Sequence, residues 1–127
     1  MTYDPVAELL RCYFDSFSRK DLDSIAAIMA ENIELQDPVV GLVRGREAVL
    51  QINRDIFASA KNLSITIKRI FGQDGVYGAE FSLLLESEKG DVSTLEGVDI
   101  IEVENAKIRR LRAYFDVGST TLKKEVV

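Results

Sequence analysis

Hydrophobic residues recur every three or four positions in the first half of the chain and every second position in the rest. Val6, Leu9, Leu10, Tyr13, Phe14 and Phe17 fall on one stripe of a first helix. Asp4 followed by Pro5 supplies an N-cap and a proline at the first helical position. Asp21 caps a second helix, expected from Leu22 to about Ala30, with Ile25, Ile28 and Met29 inside. Ile33 to Asp37 is a short strand, and Val39 to Arg44 is expected to be a loop. Gly45 opens a third helix reaching about Ala60, with Ala48, Val49, Ile52, Ile56 and Phe57 as its core face. Glu47 near its start suits the helix dipole.

From Leu63 the period shortens to two. Strands are expected at Leu63 to Phe71, Val76 to Glu86, Val92 to Val103 and Lys107 to Val117, with turn residues between them. Gly118 onward reads as a polar tail, loose or a peripheral arm. Helices first and an antiparallel meander afterwards predict an α+β fold, with the helices packed on one face of a curved sheet.

Three polar residues interrupt these apolar faces. Ile33, Leu35 and Asp37 share one side of their strand, because strand side chains alternate. Pro38 holds Asp37 extended and cannot continue a ladder. An acid therefore ends the inward row, at the lip of whatever the strand encloses, where it is assigned as a catalytic base. Tyr13 sits mid-stripe, either as a core tyrosine reaching a rim or as a polar point in an apolar shell; a buried phenol needs a partner.

Asp99 belongs to the odd set Leu95, Gly97, Asp99, Ile101 and Val103, whereas the even set carries Glu96 and Glu102. The odd set is assigned inward, where an isolated carboxylate tends to keep its proton. The alternative turns Asp99 outward beside Arg110 or Arg112. A plain two-residue turn at Asn105-Ala106 would oppose Asp99 and Arg112. A five-residue connection or an equivalent bulge instead brings Leu111, Ala113 and Phe115 inward, and this is the register expected here. Arg110, Arg112 and Tyr114 would then share the convex face with Val98 and Ile100, a mixture suited to a subunit interface.

Composition narrows the chemistry further. At 127 residues and 46% hydrophobic, the chain is expected to form one domain over residues 1–127. A net charge of −5 disfavours nucleic acid and anionic membranes as partners. No apolar run approaches the roughly 18 residues of a membrane helix. The opening Met-Thr-Tyr-Asp-Pro has no basic region or signal core, so the cytoplasm is the expected location. The single Cys12 fits a reducing compartment. The chain has no histidine, which excludes Ser-His-Asp and Cys-His mechanisms in their usual form and leaves zinc only one cysteine plus carboxylates. Gly41-Leu-Val-Arg-Gly45 lacks the lysine and spacing of a phosphate loop. Proton chemistry must run on Asp, Glu, Tyr, Lys or Cys.

Three stretches resemble the ketosteroid isomerases (steroid Δ-isomerases) of the NTF2-like, or SnoaL-like, superfamily: Arg11-Cys-Tyr13, Glu34-Leu-Gln-Asp-Pro-Val39 and Gly97-Val-Asp99-Ile-Ile. Lys20-Asp-Leu-Asp23, Gly45-Arg-Glu-Ala-Val49 and Arg112-Ala-Tyr-Phe115 are also similar to the superfamily, so the likeness spans nearly the whole chain. It departs between Asp37 and Gly45, in the absence of tryptophan, and in the third helix, where Asn53 and Phe57 stand in place of further tyrosines.

The resemblance implies an NTF2-like cone and a steroid Δ-isomerase-type activity. Asp37 would act as general base, and Tyr13 and a neutral Asp99 as oxyanion donors, with no metal or organic cofactor. The pocket would be walled by Phe14, Phe17, Val39, Phe57, Phe81, Leu83, Ile101, Leu111 and Phe115, and take a small apolar ketone or polycyclic ligand. A homodimer through the convex face is also implied. The alternatives are a SnoaL-like cyclase, an epoxide hydrolase resembling limonene epoxide hydrolase, which would want an inward Arg112, or a non-catalytic binding or dimerisation module.

Overall fold

The computed structural model describes residues 3–116 and 121–123. Three helices, α1 (Pro5–Ser18), α2 (Leu22–Ala27) and α3 (Arg46–Ser59), accompany seven strands: β1 (Met29–Asp37), β2 (Gly41–Arg44), β3 (Ala60–Gln73), β4 (Val76–Ser87), β5 (Val92–Glu104), β6 (Lys107–Phe115) and β7 (Thr121–Lys123). The strands form one sheet in the order β2-β1-β6-β5-β4-β3, with β7 beside the start of β5. This is the α+β, NTF2-like architecture expected. The ladders are antiparallel except for β1 with β6, which is parallel.

Local chemistry explains the starts of the helices. Asp4 Oδ1 accepts from the backbone N–H groups of Val6 at 3.0 Å and Ala7 at 3.3 Å, and Pro5 follows. The other carboxylate oxygen accepts from the Tyr77 hydroxyl at 2.8 Å, tying the start of α1 to β4. Asp21 caps α2 through the Ser24 N–H at 3.2 Å. The helix is shorter than expected: Ile28 N–H still bonds Ile25, but Met29 opens β1 fully buried. The segment expected as a loop contains β2, because Asp37 to Gly41 turns back on itself and pairs Glu34 with Arg44.

The rotation of α3 also differs. Val49, Leu50 and Asn53 are the buried residues, whereas Ala48 faces solvent and Ile52, Ile56 and Phe57 are half-buried. The last strand ends at Phe115, with Val117 outside the described residues, and of the polar tail only β7 is described.

The β5–β6 hairpin decides which residues look inward. Its turn is Asn105-Ala106, both at positive φ (54° and 59°), the two-residue form that matches strand twist. A bulge then shifts the register between Glu102 and Val103, leaving Arg109 as the extra residue. Asp99 consequently faces Ala113, Ile101 faces Leu111, and Gly97 faces Phe115. Val98, Ile100 and Glu102 pair with Tyr114, Arg112 and Arg110 on the convex face. There Glu102 and Glu34 share the guanidinium groups of Arg44, Arg109, Arg110 and Arg112 at 3.3–3.6 Å.

Candidate active site

On the concave face, rows of paired side chains alternate in size. Tyr77, Ile101 and Leu111 make one row; Ala79, Asp99 and Ala113 make the next; Phe81, Gly97 and Phe115 the third. The small middle row and the bare Gly97 leave a trough between bulkier walls. The trough is closed from above by α1 and α3 and opens into a cavity of about 360 Å³, within the size range of small-molecule sites. Tyr13, Asp37 and Asp99 all line it. Three residues separated by dozens of positions thus meet at a single void with mostly apolar walls.

Asp99 is 6% exposed, and both its cross-strand partners are alanines. No hydrogen bond or ion pair within the described residues holds its carboxyl group. Burial raises its pKa from 3.8 to about 7, and the nearby Asp37 charge pushes the same way. Tyr13 is buried against the edge of Phe14, with ring centroids 5.1 Å apart. Burial, reinforced by the Asp99 charge, raises the phenol above its ordinary 10.0, so the hydroxyl keeps its proton. Neither polar tip is spent on another described residue, and both can donate to something in the cavity.

Asp37 ends β1 at half burial. Its Oδ1 accepts from the N–H groups of Val39 at 2.8 Å and Val40 at 2.7 Å, forming an Asx turn around Pro38. Both donors go to one oxygen, which leaves Oδ2 without a donor among the described residues. The carboxylate is fixed in direction with one face free.

Of the nine wall positions expected, Phe14, Phe17, Val39, Phe81, Leu83, Leu111 and Phe115 line the cavity. Val39, 70% exposed, stands at its mouth. Phe57 and Ile101 do not line it. Phe57 packs edge-on against Phe17 with centroids 5.2 Å apart, one layer behind the wall. Ile101 is 0% exposed, in the row below Asp99 and in the same core cluster as Leu10 and Met29. The wall also includes residues outside that expected set: Leu35 and Val40 near Asp37, Ile65 and Leu95 from the sheet, and Ile52, Asn53, Asp55 and Ile56 from α3. Asn53 had a signal in the sequence, since it lies four residues from both Val49 and Phe57 in an otherwise apolar stripe.

No helix among the described residues is long and apolar enough to cross a membrane.

Compared with known proteins, the chain matches the SnoaL-like domain over residues 10–111. No curated protein matches by sequence. Among solved structures, the Δ5-3-ketosteroid isomerase from Mycobacterium sp. is similar with a TM-score of 0.84 and 20% identity, over 95% of this chain and 100% of that one. An M. tuberculosis protein in complex with estradiol-17β-hemisuccinate has a TM-score of 0.83 and 19% identity, over 94% and 99%. An M. tuberculosis LEH-like epoxide hydrolase has a TM-score of 0.80 and 17% identity, over 89% and 84%. At such identities the likeness speaks for the fold.

Proposed function

This chain belongs to the SnoaL-like domain family, and from that premise we propose that it is a ketosteroid isomerase-like enzyme. The observation that carries the proposal is the lining of one apolar cavity by Tyr13, Asp37 and Asp99. The roles are those known for ketosteroid isomerases, carried over residue by residue.

In this reading, Asp37 Oδ2 takes a proton from the carbon between a ketone and a β,γ double bond. The electrons of that C–H bond move to the carbonyl, giving a dienolate. Tyr13 and protonated Asp99 donate hydrogen bonds to its oxygen. Asp37 then returns the same proton to the γ carbon, and the double bond ends in conjugation with the ketone. Nothing is oxidised or reduced overall. The two acids need opposite environments. Asp37 stands at the mouth beside exposed Val39 and Val40, and Asp99 lies between alanines.

The wall residues suit a flat polycyclic ketone, as the neighbour holding an estradiol ester also suggests. The epoxide-hydrolase alternative asked for an inward Arg112. That side chain sits on the convex face, with Nη2 3.6 Å from Glu102, which favours the isomerase reading. A non-catalytic binding or dimerisation module would have Asp37 and Asp99 solvated or salt-bridged and its interior filled; the buried, unpaired Asp99 and the open cavity favour a ligand site.

The test is conversion of a β,γ-unsaturated 3-ketosteroid to its conjugated isomer, followed by the ultraviolet absorbance of the enone. Wild type should turn over, and Asp37→Asn should lose at least about a hundredfold in kcat, the typical worth of a positioned general base. Equal rates in the two proteins would sink the assignment.

A further inference from the structure

We propose, resting on the binding-site reading above, that Asn53 is a ligand-recognition residue whose amide donates a hydrogen bond to an oxygen of the molecule bound in the cavity. Asn53 is 5% exposed and lines the cavity. Its Nδ2 has no hydrogen-bond partner among the described residues. Buried amides nearly always have a partner, and a buried donor without one is more costly than a made bond is favourable.

The surroundings sharpen the point. Val49 is buried one turn earlier on α3, Phe57 packs on Phe17 one turn later, and Ile52 and Ile56 flank it on the wall. Leucine at position 53 would continue the stripe with no polar atom to satisfy. The chain instead keeps an amide donor, without a partner among the described residues, in a mostly apolar wall. An amide nitrogen can only donate, so its complement is a carbonyl, hydroxyl or ether oxygen. Such a group selects by rejection: a ligand without the oxygen leaves the amide both dry and unpaired.

Tyr13 and Asp99 are already assigned to the reacting oxygen, so Asn53 gives the wall a separate polar reading head on α3. The expected ligand class is an oxygenated polycycle, and a bare hydrocarbon skeleton is expected to bind poorly.

The experiment is calorimetric titration of the full chain with estradiol, which carries oxygen at both ends, and with 3-deoxyestradiol and 17-deoxyestradiol, each of which lacks it at one end of the same rigid skeleton. Asn53→Leu should weaken estradiol by about tenfold, the worth of one buried hydrogen bond. It should weaken one mono-oxygenated analogue by the same factor and leave the other unchanged. The thermal midpoint of the empty protein should rise in Asn53→Leu, because the unpaired amide is gone. Asn53→Ala, carried alongside, should show the same ligand pattern without depending on how leucine packs. Equal losses for all three ligands, or no loss for any, overturn the assignment of Asn53. Failure of wild type to bind any of the three overturns the binding-site reading itself and takes this inference with it, so the two failures are distinct.

Discussion

Replacing Asp99 by asparagine should stabilise the protein at pH 8 and change little at pH 4. Burial holds the carboxyl at about 7 in the fold against 3.8 ordinarily. The folded state therefore keeps a proton that the unfolded chain releases across that interval. Stability from this group is fully present below about pH 4 and is lost as pH rises through about 7. The gap between 3.8 and about 7 is worth about 4 kcal/mol in full, at about 1.4 kcal/mol for each tenfold step. Asparagine has the same shape and no charge to strand, so the variant lacks this pH-dependent loss. Its advantage should be under about 1 kcal/mol at pH 4, about 2 kcal/mol near pH 5.5 and about 4 kcal/mol at pH 8.

Urea unfolding followed by circular dichroism at those three pH values measures the difference directly. The neighbouring charge offers an internal control. Asp37 raises Asp99 less than burial does. Asp37→Asn should therefore shift the midpoint of the effect downward without removing it. An Asp99→Asn advantage that is flat from pH 4 to 8, or a variant less stable than wild type at pH 8, would show that Asp99 is not held as a dry, unpaired acid.

Two further predictions concern the framework of the site. Ala106 occupies the left-handed region at φ 59° in the β5–β6 turn, where a Cβ is strained. Ala106→Gly should therefore raise stability by about 1 kcal/mol in the same unfolding assay, and a loss would mean that the turn does not hold this conformation. At Gly97 an added Cβ would lie 2.5 Å from the Tyr114 carbonyl oxygen, 2.9 Å from Phe115 Cβ and 3.2 Å from the Phe81 ring. Gly97→Ala should thus cost about 2 kcal/mol by forcing β5 and β6 apart; an unchanged unfolding midpoint would contradict the close approach of these rows.

Sequence periodicity alone determined the class of fold, because the change from a helical to a two-residue repeat near residue 60 is a one-dimensional property of the chain. The Asp4-Pro5 cap and the extended Asp37-Pro38 step were equally legible, since each depends on a residue and its immediate neighbours. The inward side of Asp99 could be inferred from alternation, and an inward Ala113 from an expected bulge, but the place of that bulge and the partner on β4 could not. Ala79 faces it through the unbroken β4–β5 ladder, whereas Ala113 faces it only because a bulge near Glu102 reset the register of β6, and a bulge is a compromise between two strands. Helix rotation was the other quantity settled in three dimensions. Ala48 turned to solvent while Asn53 went inside, and Phe57 fell behind Phe17, because the angle at which α3 meets the sheet is fixed by packing against β1, β3 and α2 together. The four-residue β2 had too little pattern to declare itself and exists because Asp37 turns the chain back onto β1. What a residue is chemically was written in the chain; which residues share a cavity depended on bulges, crossing angles and pairings that no single segment encodes.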